Sequence, residues 1–215
     1  TNLNGGILAV NSDVNLGTGA LSFNGGTLQA LVAGGGIDSS KAVNLAVGGG
    51  TFLADAGTAS TLSGAITGVG AWTKAGPGTL TLTGANTYSG GTTVSAGTRQ
   101  LGNGGTTGSI TGNVLNNGIL AFNRSDFVTF GGVISGTGSV QQNGTGTTVL
   151  TGNNTYTGGT IINAGTLQLG NGGTAGSIAG KGVDNGKRVI TCIDLVGFRS
   201  VNKGTGSVQQ NGTGT

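Results

Sequence analysis

The sequence has no histidine, no methionine and no glutamate, and it holds one cysteine, one proline and one tryptophan among 215 residues. Without an imidazole, a Ser or Cys nucleophile lacks its usual base and a zinc ion lacks its commonest ligand, which removes most hydrolases. A lone Cys192 excludes an internal disulfide and leaves the redox compartment open. Charge is also sparse, at 7% of residues, so the pI near 9.4 and the formal charge of +3 follow from a few side chains rather than from a basic surface. Five basic residues (Lys181, Lys187, Arg188, Arg199, Lys203) fall in one stretch with Asp184 and Asp194, and the others are scattered. There is no basic, aromatic-interleaved groove for a nucleic acid. No apolar run approaches the ~20 residues of a spanning helix. The chain opens TNLNGG, without a charged and then apolar leader, so a secretion signal is expected outside this stretch.

What is present is glycine, 50 residues of it, with abundant threonine and asparagine. Glycine inside a helix costs about 1 kcal/mol relative to alanine, so helix is disfavoured. Glycine-rich composition also accompanies disorder, but disordered chains are poor in apolar residues. Here 34% are apolar, gathered in clusters such as GILAV, TLTLT, TVLTG and GILAF between NGG, GTG and GNN turn signals. That pattern predicts short, ordered strands.

The chain repeats itself at a constant offset: GANTYSGGTTVSAGTRQLGNGG from residue 84 returns as GNNTYTGGTIINAGTLQLGNGG from 152, and GTGSVQQNGTGT at 136 recurs at 204. The stretch 1–67 joins the series, since GGGTFLADAGTASTLSGAITG from 48 follows the pattern of NNGILAFNRSDFVTFGGVISG from 116. The expectation is one solenoid segment over 1–215, with units 1–67, 68–135 and 136–203 and the start of a fourth at 204–215. A shorter rhythm lies inside each unit, because NGGILAV, NGGTLQAL and GGGTFLAD begin at residues 4, 24 and 48. Each unit then holds three coils of about 20–24 residues, the period of a solenoid.

A coil this short cannot bury its own apolar face, but stacked coils can. Each strand would pair in parallel with its equivalent one coil above and below, about 4.8 Å away, so that inward side chains form ladders along the axis. In TLTLT, Leu80 and Leu82 would point in and Thr79, Thr81 and Thr83 out. Gly and Asn would turn the corners, where φ is often positive. The predicted class is an all-β parallel β-helix, its repeated residues serving as scaffold.

Residues 72–105, WTKAGPGTLTLTGANTYSGGTTVSAGTRQLGNGG, and the second copy from 140, VQQNGTGTTVLTGNNTYTGGTIINAGTLQLGNGG, resemble the passenger-associated repeat of bacterial autotransporters. The resemblance implies a right-handed β-helix that forms the secreted passenger of a type V system. It further implies delivery to the cell surface or exterior through a covalently linked C-terminal outer-membrane β-barrel, with a repeat region that assists translocation and forms a stalk. Two departures stand out. Arg99 occupies the inward place of Leu167, a costly burial unless it snorkels or finds a partner, and local distortion is expected there. Residues 181–203 keep the length of 113–135 but little of its sequence; Lys187 and Arg188 stand for Ile119 and Leu120, which makes this rung the weakest. It reads as a drifted rung, with a cap or an engineered segment as rivals.

No catalytic, cofactor or metal site is identified. Parallel β-helices also host enzymes that cleave acidic polysaccharides, which needs paired carboxylates roughly 5 to 9.5 Å apart. The aspartates, Asp13, Asp38, Asp55, Asp126, Asp184 and Asp194, are isolated in sequence and none is singled out as a pair. There is no Gly-Lys-Ser or Gly-Lys-Thr phosphate loop, and GGGIDSS at 34–40 is one poor match to a calcium nonapeptide. Tyr88 and Tyr156 recur at equivalent places and read as corner-closing aromatics rather than sugar platforms. The leading expectation is a non-enzymatic stalk segment that displays or spaces other domains on a Gram-negative surface, its long lateral faces suited to adhesion, with a polysaccharide-binding or polysaccharide-degrading β-helix as the alternative. Expected partners are the C-terminal barrel and a surface to adhere to, with no nucleic acid. Open rung edges predict self-association.

Overall fold

The structure, a computed structural model, describes residues 1–172, 175–178, 182–190, 205 and 207–210. Cys192 and Asp194, and with them the divergent rung beyond Ile190, lie outside the described residues. The chain forms two compact units, Thr1–Asn103 with Thr107–Gly112, and Gly104–Thr106 with Asn113–Thr215.

In the first unit the backbone winds through three parallel sheets in turn. The first holds Asn2–Leu3, Leu21–Phe23, Val43–Leu45 and Ile66–Gly68. The second holds Ile7–Val10, Thr27–Ala30, Gly50–Ala54, Trp72–Ala75 and Thr92–Val94. The third holds Asp38–Ser39, Ala59–Leu62, Thr79–Leu82 and Thr98–Leu101. Each strand pairs with the one a full winding away, so a rung leaves its amides and carbonyls to be satisfied by its neighbours and not by itself. The step between register partners is not constant: it is shortest from Thr79 to Thr98 and longest from Thr27 to Thr51. The variation is absorbed at corners, two of which curl into short 3-10 turns at Asp13–Leu16 and Val32–Gly34.

The second unit follows the same plan. Val114–Asn116 pairs with Ile134–Ser135. Ile119–Phe122, Ser139–Gln142, Thr160–Ile162 and Gly182–Asp184 form one sheet. Phe127–Phe130, Thr147–Leu150, Thr166–Leu169, Lys187–Ile190 and Ser207–Gln210 form another. The offset read from the sequence, which takes residue 84 to 152, also carries Ala59–Leu62, Thr79–Leu82, Thr92–Val94 and Thr98–Leu101 onto Phe127–Phe130, Thr147–Leu150, Thr160–Ile162 and Thr166–Leu169. The backbone of the divergent rung is paired where it is described, with Arg188 in register between Leu167 and Val208.

Register pairing stacks like on like inside. Leu21, Val43 and Ile66 make one buried column, and Leu62, Leu82 and Leu101 another. Burying such side chains contributes roughly 1.5–3 kcal/mol each, which is what a threonine-faced coil needs from its neighbours. Trp72 fits only because Gly50 lies in register on one side of it and Thr92 on the other. A Cβ on Gly50 would come 2.6 Å from the Phe23 ring, which itself meets Trp72 edge-on at 5.0 Å. Gly97 serves a corner: at φ +67°, a Cβ would lie 2.4 Å from Gly78 O, and Gly165 repeats the situation at φ +59° against Gly144 O at 2.4 Å.

Leu80 and Leu82 point inward as the alternation predicts, but Thr81 between them is only 8% exposed. Its register neighbours are Thr61 and Gln100, and the Gln100 side chain, held to Gly102 O at 3.0 Å, is long enough to shield that column.

Candidate functional site

Three of the described carboxylates, Asp13, Asp55 and Asp126, serve as local ties. Asp13 meets Lys41 Nζ at 2.5 Å; burial opposes its ionisation, yet hydrogen bonds from Lys41 and Ser39 and the lysine charge hold its pKa below the usual carboxylate value. Asp55 accepts from Gln29 Nε2 at 2.9 Å, one winding away. Asp126 takes a two-point contact from Arg124, at 2.9 and 2.7 Å, and that hydrogen bonding keeps its pKa low; the same guanidinium donates to Thr106 O. Asp38 is exposed on its short strand, and Asp184 lies in the strand Gly182–Asp184. Among the described residues no three of His, Cys, Asp and Glu gather as metal ligands, and no helix is long and apolar enough to cross a membrane.

The groups that do converge are those of the repeated Gly-x-Asn-Thr-Tyr stretch. Asn86 is 2% exposed and binds three consecutive windings: Oδ1 accepts from Ile66 N at 3.0 Å, and Nδ2 donates to Gly84 O at 3.0 Å and to Ser109 O at 2.8 Å. Asn154 does the same with Ile134 N at 2.9 Å, Gly152 O at 2.9 Å and Ser177 O at 3.0 Å. A side-chain amide has one acceptor and two donors, and here all three are used where the strand ladder is interrupted. Sequence reasoning takes these asparagines for corner residues and misses the latch. The signal available is the fixed spacing of Asn, Tyr and Thr in both copies.

Tyr88 and Tyr156 are fully buried, which rules out stacking on a sugar, and each hydroxyl lies 2.6 Å from a threonine Oγ1, Thr92 and Thr160 respectively. Lys74 and its counterpart Gln142 each reach the corner that follows their own strand. Lys74 Nζ donates to Ala75 O, Gly76 O and Ala96 O at 2.9, 2.8 and 3.3 Å, and Gln142 Nε2 to Gly144 O and Gly146 O at 2.9 and 3.3 Å. Burial, and then the charge of Arg99, push the Lys74 pKa down to about 8.

Arg99 is wholly buried and stands in register with Leu80. It finds a partner rather than snorkelling: Nη2 donates to Tyr88 Oη at 3.1 Å, and the guanidinium carbon sits 6.0 Å from the Tyr88 ring centroid. The expected distortion is not seen, since Thr98–Leu101 pairs residue by residue with Thr79–Leu82. Burial lowers the guanidinium pKa, and Tyr88 opposes that shift.

A sequence profile of the passenger-associated-transport-repeat family matches residues 73–98 and 140–169, the two windows that contain these latches. The chain is also 46% identical over 192 residues to the adhesin BmaC autotransporter of Brucella suis biovar 1 (strain 1330), an alignment covering 88% of this chain and 6% of that relative. No solved structure matches. The chain belongs to the autotransporter passengers that carry passenger-associated transport repeats. As such it is surface-exposed and secreted by way of the outer membrane. It spans about 6% of the length of the relative it matches.

Proposed function

We propose that this segment is a non-enzymatic stalk: a stretch of passenger that spaces adhesive parts of a longer protein from the bacterial surface and assists its own export by folding winding upon winding. The observation that carries this reading is the latch at Asn86 and Asn154. The most distinctive repeated residues turn inward and tie successive coils together, so the recurring chemistry of each copy is used up in holding the stack. The name of the relative, an adhesin, supports an adhesive setting. In this reading the full protein carries a C-terminal outer-membrane β-barrel, and export draws the passenger outward while each new coil templates on the last.

The test is made in the full-length parent protein. Removing one whole repeat unit, 68–135, in frame should leave the passenger at the cell surface, as read by protease accessibility, because the coils on either side can restack. Substituting alanine at both Asn86 and Asn154 should lower the amount of protease-resistant passenger displayed. Turnover of an acidic or neutral glycan, lost on substitution of any single aspartate, would overturn the non-enzymatic reading.

A further inference from the structure

The interior of the first unit carries positive charge with no negative group bonded to it. Arg99 is 0% exposed, and while Nη2 reaches Tyr88, its Nε and Nη1 have no acceptor. Trp72 Nε1 is buried and without an acceptor as well. Lys74 is equally buried, its donors taken up by corner carbonyls, and it feels the charge of Arg99. The acids of this unit are engaged or turned away: Asp13 with Lys41, Asp55 with Gln29, and Asp38 exposed.

These groups are linked through Thr92 and Tyr88. Trp72 stacks in register with Thr92, Thr92 Oγ1 lies 2.6 Å from Tyr88 Oη, and Tyr88 Oη lies 3.1 Å from Arg99 Nη2. Lys74 follows Trp72 by two positions on the same inward face. The second unit serves as an internal control, because Val140, Gln142 and Leu167 replace Trp72, Lys74 and Arg99 there while the Tyr156–Thr160 bond stays at 2.6 Å. The surplus donors are therefore dispensable for the fold. Water could accept from the orphaned donors but would leave a buried guanidinium unneutralised, which is the larger penalty. An anion answers both, and the surrounding ladders of Phe52, Val94 and Leu80 restrict it to a small one.

We propose that the first unit binds a small monovalent anion of halide or nitrate size in its interior, held by Arg99 Nε and Nη1 and by Trp72 Nε1.

Trp72 is the sole tryptophan, so its fluorescence reports on this place alone. The full chain is titrated with sodium iodide, bromide and chloride against sodium gluconate at constant ionic strength. The expected result is a saturable change in Trp72 emission, with iodide quenching most. The folded-to-unfolded ratio should rise about elevenfold at ten times the dissociation constant. Arg99→Leu, which installs the residue of the second copy, should abolish both responses, and Arg99→Lys should weaken them. A bromide-soaked crystal should show an anomalous peak in contact with Arg99. Emission and stability that do not distinguish halide from gluconate, or an undiminished halide response in Arg99→Leu, would overturn the proposal.

Discussion

The side-chain amide of Asn86 donates to the carbonyl of Ser109 at 2.8 Å, 23 residues further along the chain and one winding away. Its oxygen meanwhile accepts from Ile66, 20 residues back. One buried side chain thus fixes the register of three coils at a place where the strands themselves are interrupted. Losing it leaves the buried Ile66 N–H and the Ser109 carbonyl unsatisfied, each worth about 1–3 kcal/mol, while Gly84 O keeps the Ser109 N–H at 3.4 Å. Asn86→Ala should therefore destabilise the first unit by about 2–5 kcal/mol in urea unfolding, and Asn86→Asp should do no better, because it keeps the acceptor but places a charge where two donors stood.

Arg99 sits where Leu167 sits in the second copy. Replacing a buried ionic group by an apolar side chain of similar volume often stabilises by about 1–4 kcal/mol. In halide-free buffer Arg99→Leu should raise the urea midpoint without changing the slope of the transition. A loss of stability would show that the Tyr88 contact outweighs the burial of the charge.

Lys74 gives a pH dependence whose sign can be worked out. Its folded pKa is lowered to about 8 from 10.5, so between those values the unfolded chain holds a proton that the folded chain has released. Stability should then rise with pH from about 8 to 10.5, by at most about tenfold in the folding equilibrium per unit, and be flat from this group below pH 8. Lys74→Gln, the residue found at 142, should remove that slope in pH-dependent unfolding curves. Persistence of the slope in the variant would assign it to other groups.

Gly50 makes room for Trp72 and Phe23. Gly50→Ala puts a Cβ 2.6 Å from the Phe23 ring unless something shifts. Overpacking of this kind costs about 1–3 kcal/mol, and the displaced indole should show as an altered Trp72 emission maximum at unchanged far-UV circular dichroism.

Much of this arrangement is legible in the sequence. The repeat offset and the period-two clusters point to parallel stacking; the inward places of Leu80 and Leu82 follow from alternation, and that of Arg99 from its counterpart Leu167. Cross-winding contacts are not legible, because the step from one coil to the next varies, as Thr79 to Thr98 and Thr27 to Thr51 show, and each corner resets it. For that reason Asn86 looks like a turn residue, Lys74 like a surface cation, and Gly50 like any other glycine. Their partners, Ile66 and Ser109, Ala96, and Phe23, can be named only once the register is known. Nor does composition reveal that Tyr88 is sealed inside: its hydroxyl has a partner at Thr92, which the sequence presents as one more threonine.

The central claim is that windings stack in register within a unit, and outward threonines on the second sheet offer the most direct check. Thr27, Thr51, Thr73 and Thr93 succeed one another in register across four strands. With Cys192 replaced by serine, nitroxide labels at Thr27→Cys and Thr93→Cys are read by pulsed and continuous-wave electron paramagnetic resonance. Three strand spacings of about 4.8 Å put the labelled backbone positions roughly 14 Å apart, and a narrow distribution near that value is expected once label length is allowed for. A broad distribution centred beyond about 25 Å would contradict the stacked coil, since the chain between the two labels would then be spread out instead of wound three times around one axis.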